Sequence, residues 1–77
     1  MDATAATTID ARGLRCPLPV LRLAAAARGA APGSRFDLIA DDAAAATDVP
    51  AFVRERGWTA LATEAAPHGA TRYRITL

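Results

Sequence analysis

The side chain with the greatest chemical reactivity in this sequence is Cys16, the single cysteine among 77 residues. It follows Gly13, where the chain can turn freely, and precedes Pro17 and Pro19, which suit the first turn of a helix. One cysteine excludes an internal disulfide and a Cys-X-X-Cys redox pair, and beside one histidine it does not build a zinc site. The chemistry open to Cys16 is therefore that of a lone thiol.

A helix that starts near Pro17 would affect this thiol directly. Free backbone N–H groups and peptide dipoles at a helix N-terminus favour the thiolate and lower the pKa of a cysteine there. We therefore expect a lowered pKa for Cys16, with Arg12 and Arg15 adding positive potential. Because Pro17 and Pro19 lack two of the terminal N–H donors, they position the thiol more than they acidify it. From the residues alone, an exposed reactive thiol and a small buried hydrophobe both remain open for Cys16.

No residue in the sequence is an evident general base for this thiol. The single histidine, His68, lies in a Pro-His-Gly segment that predicts a surface turn, which argues against a cysteine hydrolase. A lone thiol can instead attack an electrophilic sulfur, hold it and lose it to another thiol. Asp41 and Asp42 are interpreted mainly as turn or cap residues, with docking of a partner's arginine or of a metal as the alternatives. Asp48 is predicted to cap the second helix.

Apolar patterning predicts the elements that position Cys16. Strands are predicted over residues 7–11, 34–40, 58–64 and 71–77, one helix from Pro17 to about Ala30, and a second from Thr47 or Asp48 to Gly57. Because large apolar residues are scarce, both helices must pack on one face of the sheet to form a single core. The fold class is therefore α+β, a two-layer α/β sandwich of order β-α-β-α-β-β. The other sheet face, which carries Arg35, Asp37, Arg72 and Arg74, is expected to be open to solvent.

Composition and charge argue against several function classes. A formal net charge of +1 is too small for a primary nucleic-acid binder, which needs a clearly basic face. No apolar run approaches the roughly 20 residues of a membrane span, and the first residues lack the basic start and apolar core of a signal peptide. We expect a cytoplasmic protein that forms a single domain over residues 1–77, with residues 1–6 flexible.

Several segments of the chain resemble the TusA (SirA-like) sulfur-carrier family. Residues 9–20, which contain Cys16-Pro17-Leu18-Pro19, resemble the family's Cys-Pro-X-Pro signature. Residues 31–33, 39–42, 47–52 and 73–75 occur in the family's order and at its spacing. The resemblance covers residues 9–77 and implies a four-stranded mixed sheet of strand order 1-2-4-3, with the last strand antiparallel.

The resemblance also implies a function. Cys16 would accept sulfane sulfur as a persulfide from a cysteine desulfurase or a rhodanese-like protein, and would pass it to a cysteine of a downstream acceptor protein. The destinations known for the family are thiolated tRNA, the molybdenum cofactor and sulfur oxidation. The protein would then be a sulfurtransferase without cofactor or metal, a monomer that contacts neither nucleic acid nor membrane.

Further residues are expected either to support Cys16 or to dock a partner protein. The residues expected to support the thiol are Gly13, Arg15, Pro17 and Pro19, and the candidate partner-docking residues are Arg12, Leu18, Asp41 and Asp42. Some family members have an acidic residue where this chain has Leu18, so the charge offered to a partner differs. Some have a second cysteine where this chain has Val53, which belongs to the predicted buried stripe of the second helix.

The alternative function is a regulatory or adaptor module that binds partners through the open sheet face while its thiol is idle. Reactivity of the thiol separates the two hypotheses. A carrier thiol of lowered pKa is expected to be labelled quickly near neutral pH, whereas an idle Cys16 would react only after unfolding.

Overall fold

The elements of the protein follow the predicted order. The computed structural model describes residues 6–77. It contains, in chain order, β1 (Thr7–Asp10), α1 (Leu18–Ala27), β2 (Arg35–Ala40), α2 (Ala45–Arg56), β3 (Ala60–Ala65) and β4 (Thr71–Thr76), with a short 3₁₀ turn at Pro67–Gly69. Residues 1–5 of the segment expected to be flexible lie outside the described residues.

The four strands form one mixed sheet of order β1-β2-β4-β3. β1 runs parallel to β2, with Ile9 opposite Leu38, and β4 runs antiparallel to both of its neighbours. A parallel pair cannot be joined by a tight turn, so α1 provides the crossover from β1 to β2. The predicted fold class and strand order are confirmed.

Buried apolar residues alternate with more exposed residues along the two central strands, β2 and β4, which gives the sheet an apolar face and a polar face. Leu38 of β2 and Tyr73 of β4 lie opposite each other and are buried, at 0% and 2% exposure. Both helices contribute to the same core, through Leu23 of α1 and through Val49 and Val53 of α2. The scarce large apolar residues are thus gathered into a single layer between the helices and the sheet, as the composition requires.

The opposite face of the sheet carries paired charges. Arg72 lies 3.3 Å from a carboxylate oxygen of Asp37 and 3.4 Å from one of Glu64, and Arg74 lies 2.9 Å from the same Glu64 oxygen. Arg35 is also exposed on β2. Because these charges alternate in sign across neighbouring strands, the face presents no large field of one sign.

The predicted boundaries of both helices were partly wrong. α1 begins at Leu18, with Pro17 as the N-cap, and it ends at Ala27 instead of near Ala30. The strand boundaries differ from the predicted ones by one or two residues.

α2 begins at Ala45, earlier than predicted, and its N-cap is Ala44 without a side-chain cap. Alanines have the highest helix propensity, and the Ala45 N–H is satisfied by the Asp42 carbonyl at 3.0 Å, so the helix extends one turn toward β2. Pro50 consequently lies inside the helix instead of in its first turn. The prediction that Asp48 caps this helix is wrong, which leaves its carboxylate available for another contact.

The end of α2 agrees with the sequence prediction. Gly57 occupies the C-cap with φ of 68°, a left-handed conformation that residues with a side chain rarely adopt. Its N–H donates to the carbonyls of Arg54 and Val53. No helix between residues 6 and 77 is long and apolar enough to cross a membrane.

Candidate functional site

The loop that carries Cys16 lies against the start of α2. Because β1 and β2 are parallel, the connections that follow them both leave the sheet at the same edge. Residues 11–17 therefore meet residues 41–48. The Gly13 N–H donates to Asp41 Oδ1 at 3.0 Å, and the Cys16 N–H donates to Asp42 Oδ2 at 2.8 Å. Each bond joins segments more than 25 residues apart in sequence, as the separations of 28 and 26 residues show.

The approach to Cys16 is fixed mainly through its backbone. Ala11 is fully buried, and its N–H donates to the Ile39 carbonyl at 2.8 Å, which continues the β1–β2 pairing by one residue. Gly13 has φ of 80°, a conformation in which any larger residue would be strained. A turn at Gly13 and a carboxylate on each of two backbone N–H groups thus hold the loop in place.

Cys16 is exposed, which excludes the interpretation of this residue as a small buried hydrophobe. It lies one residue before the N-cap of α1, and its peptide bond to Pro17 is cis. The Leu18 N–H donates to the Arg15 carbonyl at 2.8 Å, so the chain already turns before the helix begins. Cys16 therefore lies just outside α1, next to its N-cap residue.

The Cys16 thiol donates a hydrogen bond to Asp48 Oδ2, across 32 residues of sequence. Asp48 lies in the first turn of α2, and its own N–H donates to the Ala44 carbonyl at 2.9 Å, so the helix fixes the position of the carboxylate. A thiol that donates to a carboxylate is stabilised in its protonated form. The structure thus provides a proton acceptor for Cys16 that was missed in the sequence.

The pKa of the Cys16 thiol is raised above its ordinary value. The hydrogen bond to Asp48 is the largest cause, partial desolvation of the thiol adds to it, and the negative charges of Asp48 and Asp42 oppose formation of a thiolate. The prediction of a lowered pKa is wrong, because the carboxylates beside the thiol oppose its ionisation and Cys16 lies before the N-cap of α1. The thiol is accessible, but it is held in its less nucleophilic form.

The two arginines expected to assist Cys16 do not balance these carboxylates. Arg12 makes a two-point ion pair with Asp10, at 2.9 Å from Nε and 2.8 Å from Nη2. The hydrogen bonds from Arg12 lower the pKa of Asp10 to about 2. Arg15 is exposed beside the thiol and contributes its carbonyl to the turn before α1.

The remaining candidate residues have structural surroundings of different kinds. Pro19 is buried in the first turn of α1, and Leu18 is 47% exposed on the same turn. His68 is exposed in the Pro67–Gly69 turn, as predicted, and has φ of 61°. The hydrogen bonds of Cys16 go to Asp42 and Asp48 and not to this histidine. Within residues 6–77, the His, Cys, Asp and Glu side chains form no group of three or more that could hold a metal ion.

A shallow groove lies beside the thiol, between the start of α1 and the stretch of α2 from Asp48 to Glu55. Its volume is about 220 Å³, and it is lined by Pro17, Val20, Asp48, Ala51, Phe52 and Glu55. Apolar side chains predominate among these, and Leu21 on the outer face of α1 is 54% exposed. A protein surface can therefore approach Asp48 and the neighbouring Cys16 along an open, largely apolar path.

Comparison with known proteins defines the class to which this fold and site belong. The family model of sulfurtransferase TusA matches residues 7–77, so the chain belongs to the TusA sulfurtransferase family. This agrees with the resemblance read from the Cys-Pro-X-Pro segment, and it gives the protein a general role as a sulfur carrier.

A solved structure has the same fold. The crystal structure of a SirA-like protein from Desulfitobacterium hafniense superposes with a TM-score of 0.80 at 24% sequence identity. The match covers 91% of this chain and 95% of that one. Similarity at 24% identity concerns the fold alone.

Proposed function

We propose that this protein carries sulfane sulfur as a persulfide on Cys16. The observation that supports this most strongly is the exposure of the chain's single thiol at the end of a loop whose backbone is fixed by Asp41 and Asp42. Such a thiol can meet a cysteine of another protein without any rearrangement of the core. The membership of the chain in the TusA family supports sulfur as the group that is carried.

Loading is a thiol exchange without net oxidation. Cys16 Sγ attacks the outer sulfur of a donor persulfide, the sulfur–sulfur bond of the donor breaks, and the donor's inner sulfur leaves as a thiolate that takes up a proton. The product is Cys16-S-SH. Unloading repeats this step with an acceptor thiol as the attacking group and the Cys16 thiolate as the leaving group. Sulfur is held covalently throughout, so the transfer needs no cofactor.

The partners in this proposal are proteins. The donor is a cysteine desulfurase or a rhodanese-like protein, and the acceptor presents a thiol on a path toward thiolated tRNA, the molybdenum cofactor or sulfur oxidation. The carrier acts in the cytoplasm as a monomer and does not hold nucleic acid itself, consistent with its net charge of +1. Gly13, Pro17 and Pro19 shape the loop in which Cys16 lies, and Arg15 and Leu18 lie beside the thiol where a partner docks.

The test is intact-mass measurement after incubation with a sulfur donor. Wild-type protein is incubated with a cysteine desulfurase and cysteine, and separately with a rhodanese and thiosulfate. At least one donor is expected to add the mass of one sulfur atom, which dithiothreitol removes. The Cys16→Ser variant keeps a hydrogen-bond donor toward Asp48 but is expected to gain nothing. No gain by the wild type with either donor class, in a preparation whose thiol iodoacetamide labels fully, would refute the proposal.

A further inference from the structure

Persulfide exchange at Cys16 requires a proton to leave Sγ and a proton to reach the departing donor sulfur. The thiol is held protonated at rest by the Asp48 hydrogen bond and the surrounding negative charge, so free thiolate is scarce at neutral pH. A transfer step that waited for spontaneous ionisation would be slow. A proton acceptor already in contact with Sγ removes that requirement.

We propose that Asp48 is the proton shuttle of sulfur transfer at Cys16. Its Oδ2 takes the proton from Sγ as Sγ forms a bond to the outer sulfur of the donor persulfide. The donor's sulfur–sulfur bond breaks, its inner sulfur leaves as a thiolate, and the protonated Asp48 returns the proton to that sulfur. Atoms and charge balance, since the products are Cys16-S-SH, the donor thiol and the original carboxylate. This role rests on the proposed persulfide function.

The geometry singles out Asp48 among the acidic groups near the thiol. Asp41 and Asp42, on the connection between β2 and α2, direct carboxylate oxygens to the backbone N–H groups of Gly13 and Cys16. Glu55 lies two turns further along α2, in the same groove, and Sγ donates to Asp48 and not to it. Asp48 is thus the carboxylate that contacts the reacting atom.

The basic groups around the loop do not offer an alternative. Arg12 is engaged by Asp10, and Arg15 is a permanently charged guanidinium that cannot accept a proton. His68, on the turn between β3 and β4, is exposed and does not accept the Sγ hydrogen bond. Asp48 also lies on a helix and not on a loop, and its backbone N–H donates to the Ala44 carbonyl, so its backbone is held in place beside the loop of Cys16.

The decisive variant is Asp48→Asn, which keeps the size and a carbonyl oxygen of the side chain but cannot hold the proton. Two rates are measured, alkylation by iodoacetamide and uptake of sulfur from a saturating donor. Alkylation near neutral pH is expected to become about fivefold faster or more, because one negative charge at contact distance suppresses the thiolate by that factor even in bulk water. Sulfur uptake is expected to become about tenfold slower or more, since general base catalysis contributes at least that much.

These opposite changes distinguish a shuttle from a structural role, which would slow both rates or neither. Glu55→Gln is the matched control, because it removes a negative charge from the same helix at a residue that does not accept the Sγ hydrogen bond. The alkylation rate of this variant is expected to stay within about twofold of wild type. The pH dependence gives a second measurement. Over the pH range in which Asp48 is a carboxylate and Cys16 is a thiol, wild-type uptake is expected to stay nearly constant, whereas uptake by Asp48→Asn rises with pH in proportion to thiolate.

Asp48→Glu provides a further check, because it retains a carboxylate that can hold a proton and is expected to recover part of the uptake lost in Asp48→Asn. Far-ultraviolet circular dichroism establishes that each variant is folded. Uptake by Asp48→Asn at the wild-type rate or faster would overturn the shuttle and leave the persulfide function intact. Alkylation slowed in the same variant would overturn it as well. Absence of uptake in the wild type would overturn the persulfide function itself.

Discussion

The hydrogen bond from the Cys16 N–H to Asp42 Oδ2, 2.8 Å long, connects the loop before α1 to the segment before α2. The backbone carbonyl of Asp42 also accepts a hydrogen bond from the Ala45 N–H at 3.0 Å, at the start of α2. Asp42→Ala removes the side-chain acceptor and leaves the carbonyl in place. The variant therefore isolates the contribution of one carboxylate to the fixed position of Cys16.

The cost of this substitution follows from two contributions. A hydrogen bond to a charged acceptor stabilises a fold by about 1.5–3 kcal/mol, and the lower end applies here because Asp42 is only partly buried. A negative charge near a helix N-terminus adds about 0.3–1 kcal/mol. The expected loss is therefore about 2 kcal/mol of the free energy of unfolding. For a domain of this size, that loss lowers Tm by roughly 8–16 °C.

Urea unfolding followed by Trp58 fluorescence measures this loss. Trp58 packs edge-on against Phe52 of α2, with 5.4 Å between ring centroids, so its emission reports on that helix. The midpoint is expected to fall with an unchanged m value. Asp42→Asn, which keeps an acceptor but loses the charge, is the matched control and should lose about half as much. A loss below about 0.5 kcal/mol for Asp42→Ala would refute the claim that this bond fixes the loop.

Three further predictions concern the rest of the fold. The pKa of Asp10 is lowered to about 2 by Arg12, so the stability that this pair contributes is present above pH 4 and is lost as pH falls toward about 2. An NMR titration of the Asp10 carboxyl should give that midpoint, and Arg12→Ala should return it to the ordinary range; an unmoved midpoint would contradict the pairing. Leu23 is fully buried, so Leu23→Ala should lower the free energy of unfolding, measured in urea, by about 3 kcal/mol. Leu21 is 54% exposed, and Leu21→Ala should change the same quantity by less than about 0.5 kcal/mol. Equal losses in the two variants would contradict the assigned burial. Gly57→Ala should cost about 1 kcal/mol in the same assay, because φ is 68° and nothing lies within 4 Å of an added Cβ; a neutral result would contradict the left-handed cap.

Most of the fold could be predicted from the sequence because its signals are local. Phe36 and Leu38 alternate along β2, Tyr73 and Ile75 along β4, and all four are buried. The start of α2 was misplaced because two local signals compete, Pro50 favouring a late start and the preceding alanines an early one. Propensity alone does not decide between them, since the contacts of α2 with the sheet also contribute.

The candidate site could be predicted only in part. Cys16 is recognisable as the lone thiol beside two prolines, but the direction of its pKa shift depends on Asp48, which lies 32 residues away in sequence. An aspartate near the start of a helix can cap the helix or accept a proton from a neighbouring group. The sequence around Asp48 does not distinguish these two roles. The topology contains a signal that could have identified this neighbour. Because β1 and β2 are parallel, the starts of both helices lie at one edge of the sheet. An acidic residue in the first turn of α2 is therefore a candidate neighbour of Cys16.

The Sγ–H group that donates to Asp48 exists only in the empty protein. In the proposed Cys16-S-SH the proton belongs to the outer sulfur, and a persulfide loses its proton more readily than a thiol does. Once that proton is lost, the Asp48 carboxylate that accepted the hydrogen bond of the empty side chain would repel the outer sulfur. The empty and the loaded carrier would then differ in charge beside Asp48, so a donor could recognise the first and an acceptor the second. Sulfur would therefore pass in one direction, from donor to acceptor.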